Sequence, residues 1–96
     1  MSKQYYIYIM TNFTNTVLYI GVTNNLVRRV SEHKQEVTDG FTKKYHTTKL
    51  VYFEIFSDSY SSISREKQLK AGSRKAKDTL IRASNPEYRD LYNSIL

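Results

Sequence analysis

Residues 17–33 read VLYIGVTNNLVRRVSEH and contain a predicted strand and the start of the helix that follows it. Residues 17–23 are rich in apolar and β-branched side chains, which predicts a strand. The Asn-Asn pair that follows can cap a helix, which we expect to run to about Thr38 and to stop at the next Asp-Gly pair. The stretch also carries a tyrosine, a glycine, two arginines and a histidine that a plain strand-to-helix connection does not need.

Outward from this stretch, hydrophobic patterning and turn residues predict one strand before it and several elements after it. These are a strand over residues 4–10, a turn at 12–15, a basic loop (FTKKYHTT) over 41–48, a strand over 50–56, a helix from Asp58 or Ser59 to Gly72, a helix from Ser73, and a short terminal helix opened by Asn85-Pro86. The order β-β-α-β-α-α predicts an α+β fold with a small, mainly antiparallel three-stranded sheet flanked by helices. The direction of the third strand stays open, because a helical crossover can also place it parallel to its neighbour.

The composition bounds the class of protein. A chain of 96 residues, 40% of them hydrophobic, predicts one globular domain over residues 1–96. The net charge of +6 favours phosphate-bearing partners, although solubility explains a basic surface equally well. The absence of cysteine excludes disulfides, thiolate zinc sites and thiol catalysis. The amino terminus has no signal-peptide pattern and no apolar run approaches about 18 residues, so we expect a cytoplasmic protein without a membrane partner.

Pairing the first two strands places an unusual set of side chains on one face of the sheet. With the hairpin centred on the Phe-Thr pair of the turn, Tyr8 lies opposite Tyr19 and Tyr6 lies opposite Gly21. Because side chains alternate along a strand, all four residues share a face. A cross-strand aromatic pair that stabilises the hairpin is the simpler interpretation. The alternative is a site in which the glycine leaves room for another group.

The first predicted helix carries two polar side chains beside its apolar stripe. At about 100° per residue, the stripe that should face the sheet is formed by Leu26, Val27, Val30 and Val37. Arg29 and His33 lie four residues apart on one flank of it. Arg29 can either meet a phosphate in a bidentate contact or lie along the surface. His33 can either belong to a site or be a half-buried spacer bonded to the backbone.

The second predicted helix places a carboxylate in an apolar row, formed by Ile63, Glu66 and Leu69. Lys70 lies one turn on and can simply pair with Glu66, an interaction worth a few tenths of a kcal/mol when exposed. The alternative is that Glu66 is a ligand for a hard cation at the rim of a cleft.

Paired tyrosines, a directed arginine, a histidine and a lone carboxylate together suit phosphodiester cleavage. Magnesium keeps several waters and accepts phosphate oxygens of the substrate as ligands, so one protein carboxylate can suffice. Arg29 would stabilise the charge that grows on the phosphate. A tyrosinate, or a tyrosine in a proton relay, would activate the attacking water.

These residues resemble the GIY-YIG nuclease family, and in particular a branch similar to the nuclease module of excision-repair enzymes. The two motifs appear as YIY over residues 6–8 and YIG over residues 19–21, and the resemblance covers nearly the whole chain. Tyr6 departs from the family, which has glycine at that position. By this resemblance the catalytic residues are Tyr8, Tyr19, Arg29, His33 and Glu66.

The resemblance implies a metal-dependent DNA endonuclease that selects DNA structure rather than sequence and acts in repair or recombination. It implies a single divalent ion, Mg²⁺ or Mn²⁺, bound by Glu66. The DNA is expected to be branched, nicked or single-stranded, and a protein partner can supply the targeting. The alternative function is a nucleic-acid-binding module that keeps the fold and the positive surface without catalysis. The side chains expected to contact nucleic acid are Lys43, Lys44, Tyr45, His46, Lys70 and Asn85.

Overall fold

The strands and helices follow one another in the predicted order, with one additional helix before the third strand. The computed structural model describes residues 3–37 and 40–96. The strands in these ranges are β1 (Tyr5–Thr11), β2 (Leu18–Thr23) and β3 (Lys49–Phe56). The helices are α1 (Leu26–Lys34), α2 (Gly40–Tyr45), α3 (Ser59–Ala71), α4 (Arg74–Ser84) and α5 (Tyr92–Ile95). The structure confirms the predicted α+β class, and none of the helices it describes is long and apolar enough to cross a membrane.

The sheet has the strand order β2-β1-β3, and both pairings are antiparallel. This settles the direction of β3, which the sequence left open. β1 is the central strand, and its residues 7–11 are all buried. An irregularity between Ile9 and Met10 shifts the register of β1 against β3. β2 and β3 are consequently the two edges of the sheet.

The hairpin register differs from the predicted one, since Tyr8 pairs with Gly21 rather than with Tyr19. The reason is that the six-residue loop between the strands covers residues 12–17 and not 11–16 as predicted, and the side chain of Asn12 holds it there. The Asn12 Oδ1 atom accepts hydrogen bonds from the backbone N–H groups four and five residues on, at 2.9 and 3.1 Å. The pairing is displaced by two residues, from 19 to 21, and an even displacement keeps every side chain on its predicted face.

Each face of the sheet packs against its own helices. On one face, the isoleucines of β1 cluster with Leu69 of α3 and Ile81 of α4. On the other face, Tyr8 clusters with Leu26 and Val30 of α1. Helices α1 and α3 therefore lie on opposite sides of the sheet.

Two of the four residues predicted to form the apolar stripe of α1 are not in the core. Val27 is 37% exposed and Val37 is 65% exposed, whereas the other two are buried. Val37 lies beyond the helix, because α1 ends at Lys34 and Glu36 then adopts a positive φ of 58°. The predicted helix end near Thr38 is therefore wrong, and Thr38 itself lies outside the described residues.

The segment predicted as a basic loop over residues 41–48 contains helix α2. Thr42 is the buried residue of this helix, and the helix ends where His46 adopts a positive φ of 56°. A six-residue helix that begins with glycine has little stability of its own, so its contacts with the rest of the protein decide that it forms. The predicted stop of α1 at Asp39, just before α2, lies outside the described residues.

The terminal helix begins later than predicted. α4 is followed by its C-cap Asn85, and the chain then turns before α5 begins at Tyr92 rather than at Pro86. Asp90 fixes this connection to β3, because its Oδ1 atom accepts a hydrogen bond from the backbone N–H of Leu50 at 3.2 Å. The carboxyl-terminal segment thereby closes the α1 side of the sheet.

Candidate active site

The pairing of β1 with β2 brings a tyrosine ring directly onto a glycine. A Cβ atom added to Gly21 would lie 2.5 Å from the hydroxyl oxygen of Tyr8 and 2.6 Å from the ring carbon that carries it. Side chains do not tolerate contacts this short, so glycine is required here for space. The room that Gly21 leaves is filled by Tyr8 itself rather than by a separate group.

Tyr8 begins a buried chain of hydrogen bonds formed with His33, Thr42 and Thr47. The Tyr8 hydroxyl and Nε2 of His33 are 3.0 Å apart, and Nδ1 of His33 is 2.9 Å from Oγ1 of Thr42. The Thr47 hydroxyl donates to Oγ1 of Thr42 at 3.2 Å. All four residues are fully buried. His33 is therefore an internal link between β1 and α2, not the half-buried spacer that was one of its two interpretations.

Tyr19 and Arg29 form the solvent side of the same cluster. The ring centroid of Tyr19 lies 6.2 Å from that of Tyr8 and 4.8 Å from that of the His33 imidazole. Tyr19 is half-buried, and the Arg29 side chain is 33% exposed with its Nε atom 3.1 Å from a carboxylate oxygen of Glu32. The structure thus brings together four of the five side chains predicted to be catalytic.

The environment of Tyr8 keeps its hydroxyl protonated. Burial raises the pKa of Tyr8 well above its ordinary value of 10.0, and the neighbouring Tyr19 raises it further, while the positive charge of Arg29 opposes both. A buried phenol of this kind is neutral near pH 7. The structure therefore disfavours a tyrosinate at Tyr8. A neutral hydroxyl can still donate one hydrogen bond and accept another, which is what a proton relay needs.

Glu66 approaches β2 from the other face of the sheet. Ser62 and Leu69 are the buried residues of α3 and mark the line that faces the sheet. At about 100° per residue, Arg65 and Glu66 flank this line on opposite sides. Arg65 donates to both carboxylate oxygens of Glu54 on β3, at 2.9 Å each. Glu66 is consequently on the flank of α3 that faces β2, the opposite edge of the sheet.

The pairing of Glu66 with Lys70 is present in the structure. The Lys70 Nζ atom lies 3.4 Å from Oε2 of Glu66, and their side chains are 55% and 16% exposed. The predicted apolar row on α3 is interrupted, since Ile63 is 42% exposed. Glu66 is thus a mostly shielded carboxylate at the edge of the sheet, with a lysine as its neighbour.

Glu66 offers a divalent cation one carboxylate, which is a hard oxygen donor. Within residues 3–37 and 40–96, no three His, Cys, Asp or Glu side chains come together as a metal site. An ion at Glu66 would take its remaining ligands from water and from a phosphate, which is how magnesium is commonly held. The donor is suitable for such an ion, provided that Lys70 releases the carboxylate oxygen at 3.4 Å.

Sequence reasoning missed Phe41, which extends the cluster outward along α2. Its ring centroid lies 5.5 Å from that of Tyr19 and 4.8 Å from that of Tyr45. Lys44 places its Nζ atom 5.3 Å from the centre of the Tyr45 ring. The available signal was the segment FTKKY, in which two aromatic residues enclose two lysines. The importance of this segment is evident only once it is known to be helical, and Thr42 was missed for the same reason.

The other residues predicted to bind nucleic acid have different positions. Lys43 and His46 are exposed, and His46 forms an ion pair with Glu36 when its ring is protonated. Asn85 is only 5% exposed, and its side-chain amide donates to the backbone oxygen of Val51 at 3.1 Å. The structure therefore gives Asn85 a place inside the fold, where its amide holds the end of α4 against β3, and not at a surface that DNA could reach.

Comparison with known proteins gives one matching family model and several relatives called UPF0213 proteins. A family model for the GIY-YIG catalytic domain matches residues 4–79. A UPF0213 protein from Syntrophus aciditrophicus is 36% identical over 88 residues, which cover 91% of this chain and 98% of that protein. A UPF0213 protein from Limosilactobacillus reuteri is 34% identical over 82 residues, covering 83% of this chain and 84% of that protein.

A solved structure shows the same fold. The solution NMR structure of a UPF0213 protein from Bacillus halodurans matches 91% of this chain and 92% of its own with a TM-score of 0.58. The sequence identity in that comparison is 23%, so the likeness concerns the arrangement of strands and helices alone.

Proposed function

The chain belongs to the GIY-YIG catalytic domain family, a family of nucleases, and on that premise we propose that it is a metal-dependent DNA endonuclease. The observation that carries the proposal is the convergence of Tyr8, Tyr19, Arg29 and His33, which come from three different elements and meet beside the edge strand β2. Packing of a small core does not require an arginine and a buried histidine in contact with two tyrosines. Such a set suits a site that handles a phosphodiester, because it combines a fixed positive charge with groups that can transfer a proton.

Tyr19 and Arg29 are the groups of this cluster that can touch a substrate, because both reach the surface. The guanidinium of Arg29 offers several N–H donors to phosphate oxygens and remains positive as charge grows on the phosphate. Tyr19 would orient the attacking water with its hydroxyl. Cleavage forms a bond from the water oxygen to phosphorus and breaks the phosphorus–oxygen ester bond.

Tyr8 and His33 act behind this surface as positioning residues. Their buried hydrogen bond, at 3.0 Å, fixes the imidazole that lies edge-on to the ring of Tyr19. The proton of the attacking water would pass through the hydroxyl of Tyr19 to that of Tyr8, to which it is hydrogen-bonded, and would be held at Nε2 of His33, while the leaving oxygen takes a proton from solvent. A divalent ion at Glu66, when bound, would neutralise charge on the phosphate and on the leaving oxygen.

The experiment that tests the proposal is cleavage of branched, nicked, single-stranded and duplex DNA in the presence and absence of Mg²⁺. Arg29→Ala should lower the rate by at least about a hundredfold, the usual range for loss of one group that stabilises transition-state charge. Arg28→Ala is the matched control, because Arg28 is the adjacent arginine and is exposed to solvent. No metal-dependent cleavage of any of these DNAs by the wild type would contradict the nuclease assignment.

A non-catalytic nucleic-acid-binding module is the second candidate, and the Glu66–Lys70 pair is the observation that favours it. If the pair is permanent, no carboxylate is free for a metal at this edge. The same assays distinguish the two functions, because the binding module would retain DNA affinity while Arg29→Ala and the wild type were equally inactive.

A further inference from the structure

The exposed side of α2 carries a row of aromatic rings that continues from the candidate active site. We define the aromatic row as Tyr19, Phe41 and Tyr45, whose successive ring centroids lie 5.5 and 4.8 Å apart. Phe41 is 39% exposed and Tyr45 is 37% exposed. The row therefore leads from the catalytic cluster to open solvent.

Anchoring of α2 does not account for this exposure. The buried residue of the helix is Thr42, which bonds inward to His33, whereas the two aromatic residues keep more than a third of their surface. Neighbouring rings in the row are tilted by 49° and 50°, so they do not stack face to face and do not cover one another's faces.

The charge beside the row suits a polyanion. Helix α2 reads GFTKKY and contains two lysines and no acidic residue. Lys43 and Lys44 are both exposed, and the ammonium group of Lys44 lies over the ring of Tyr45. Aromatic faces interleaved with positive charge are the combination that binds single-stranded nucleic acid, where bases stack on the rings and the backbone follows the cations.

We propose that the aromatic row is a stacking surface for unpaired nucleobases, and that the substrate has a single-stranded segment next to the scissile phosphate. This inference rests on the proposed nuclease function for the position of that phosphate. Duplex DNA does not fit the row in the same way, because the faces of its bases are covered by their neighbours within the helix. The row thus selects among the DNA structures that a nuclease of this kind could cut.

The test measures binding without cleavage, in EDTA, with two oligonucleotides that have the same number of phosphates. One is single-stranded with 2-aminopurine at an internal position, and the other is a blunt-ended duplex in which every base is paired. Fluorescence anisotropy gives the dissociation constants, and the 2-aminopurine intensity reports stacking on a ring. For the wild type we expect tighter binding of the single strand and quenched 2-aminopurine fluorescence.

Phe41→Leu should weaken single-strand binding about tenfold, within the range for loss of one base-stacking ring, and should leave duplex binding within about twofold of the wild type. Retained duplex binding by the leucine variant excludes a folding defect as the cause. Phe41→Tyr retains a ring and should bind the single strand as the wild type does. Tyr60→Leu is the matched control, because Tyr60 is an 81% exposed aromatic residue on α3. It should change neither affinity.

Two results would overturn the inference. If Phe41→Leu weakened both DNAs equally or neither of them, stacking on the row would be refuted while the nuclease proposal, which is tested by Arg29, would stand. If the wild type bound neither oligonucleotide, the row would not be a nucleic-acid surface, and the cleavage assay in Mg²⁺ would decide the nuclease proposal independently.

Discussion

Gly21 is the residue on which the close packing of the two motif strands depends. A methyl group at this position would have to displace the fully buried ring of Tyr8, which lies within 2.8 Å of it at three atoms. We expect Gly21→Ala to destabilise the fold by about 1–3 kcal/mol, as overpacking of a core does, and to reduce cleavage by moving Tyr8 away from His33. Urea denaturation provides the measurement.

Gly40 supplies the control for that substitution. Among the described residues, no atom outside its chain neighbours and its own helix backbone lies within 4 Å of a Cβ atom added there, and its position at the start of α2 tolerates alanine. Gly40→Ala should leave stability unchanged or slightly raised. Equal losses from the two glycine variants would show that backbone effects, and not the contact with Tyr8, explain the result at Gly21.

Thr42 is the residue that connects α2 to the buried imidazole. Thr42→Val keeps the shape of the side chain but removes the hydroxyl 2.9 Å from Nδ1 of His33. We expect a loss of about 1–3 kcal/mol in unfolding free energy, because a hydrogen bond to the imidazole is removed in a fully buried place. Thr42→Ser should recover most of it. NMR signals of the His33 ring should shift in the valine variant only, and an unchanged ring spectrum would contradict the contact.

Elements bounded by clear turn and cap residues could be predicted from the sequence. β3 and α3 lie where the pattern placed them, Asp58 is the one of the two predicted residues that caps α3, and α4 begins directly after Ser73. Helix α2 could not be predicted, because its formation depends on the contact between Thr42 and His33, which belong to different elements. The hairpin register was missed because the loop is shifted by one residue along the chain, and the hydrogen bonds of the Asn12 side chain that fix its position cannot be read from the sequence pattern.

The candidate site was predictable in its residue types and only partly in its geometry. Periodicity placed Arg29 and His33 on one flank of α1, and they lie there with the two tyrosines. Periodicity could not place Glu66, because a helix pattern gives the buried line but not the face of the sheet on which the helix packs. The structure shows that α3 packs on the face of the sheet opposite to α1.

Substitution of Lys70 on helix α3 tests the proposal that Glu66 binds a divalent ion. Because its ammonium group competes for Oε2 of Glu66 at 3.4 Å, Lys70→Ala should lower the Mg²⁺ concentration that gives half-maximal cleavage several-fold. Glu66→Gln should abolish metal-dependent cleavage while retaining most of the DNA affinity. Glu87→Gln is its matched control, since Glu87 is an exposed glutamate of the turn after α4. Full activity in Glu66→Gln would remove this residue from the mechanism.

The ion pair between Glu54 of β3 and Arg65 of α3 makes the stability of the whole molecule sensitive to acid. Burial raises the pKa of Glu54, but the hydrogen bonds from Arg65 and Tyr52 outweigh it and hold that pKa below the ordinary value of 4.5. A carboxylate with a lowered pKa in the folded state contributes stability above its unfolded pKa and loses it as the pH falls through the folded value. Urea titrations of wild type and Glu54→Gln should therefore differ near pH 7 and converge in acid below pH 4.5. A constant difference across that range would contradict the coupling.

The net charge of +6 predicts that DNA binding by the whole molecule weakens with salt. Each phosphate neutralised on duplex DNA adds about 0.9 to the slope of log affinity against log salt. Changing Lys43 and Lys44 together to alanine should flatten that slope for all sequences alike. The matched double variant changes Lys75 and Lys77 on α4, which packs on the other face of the sheet, and should retain the wild-type slope. A wild-type affinity that does not depend on salt would mean that the basic surface serves solubility alone.

The two faces of β2 lie on the sides of the sheet covered by different helices, and this arrangement links catalysis to self-association. Tyr19 and Gly21 face the α1 side, while Glu66 approaches from the α3 side, so a substrate that meets both must cross the unpaired margin of the sheet. In the described part of the chain β2 has a strand neighbour on one side alone, and the backbone N–H and C=O groups on the other side of an edge strand are a template for another strand. A second copy of the chain that added a strand to β2 would separate the two halves of the site. Self-association through this strand and cleavage would therefore exclude each other, and specific activity would fall as the protein concentration rose.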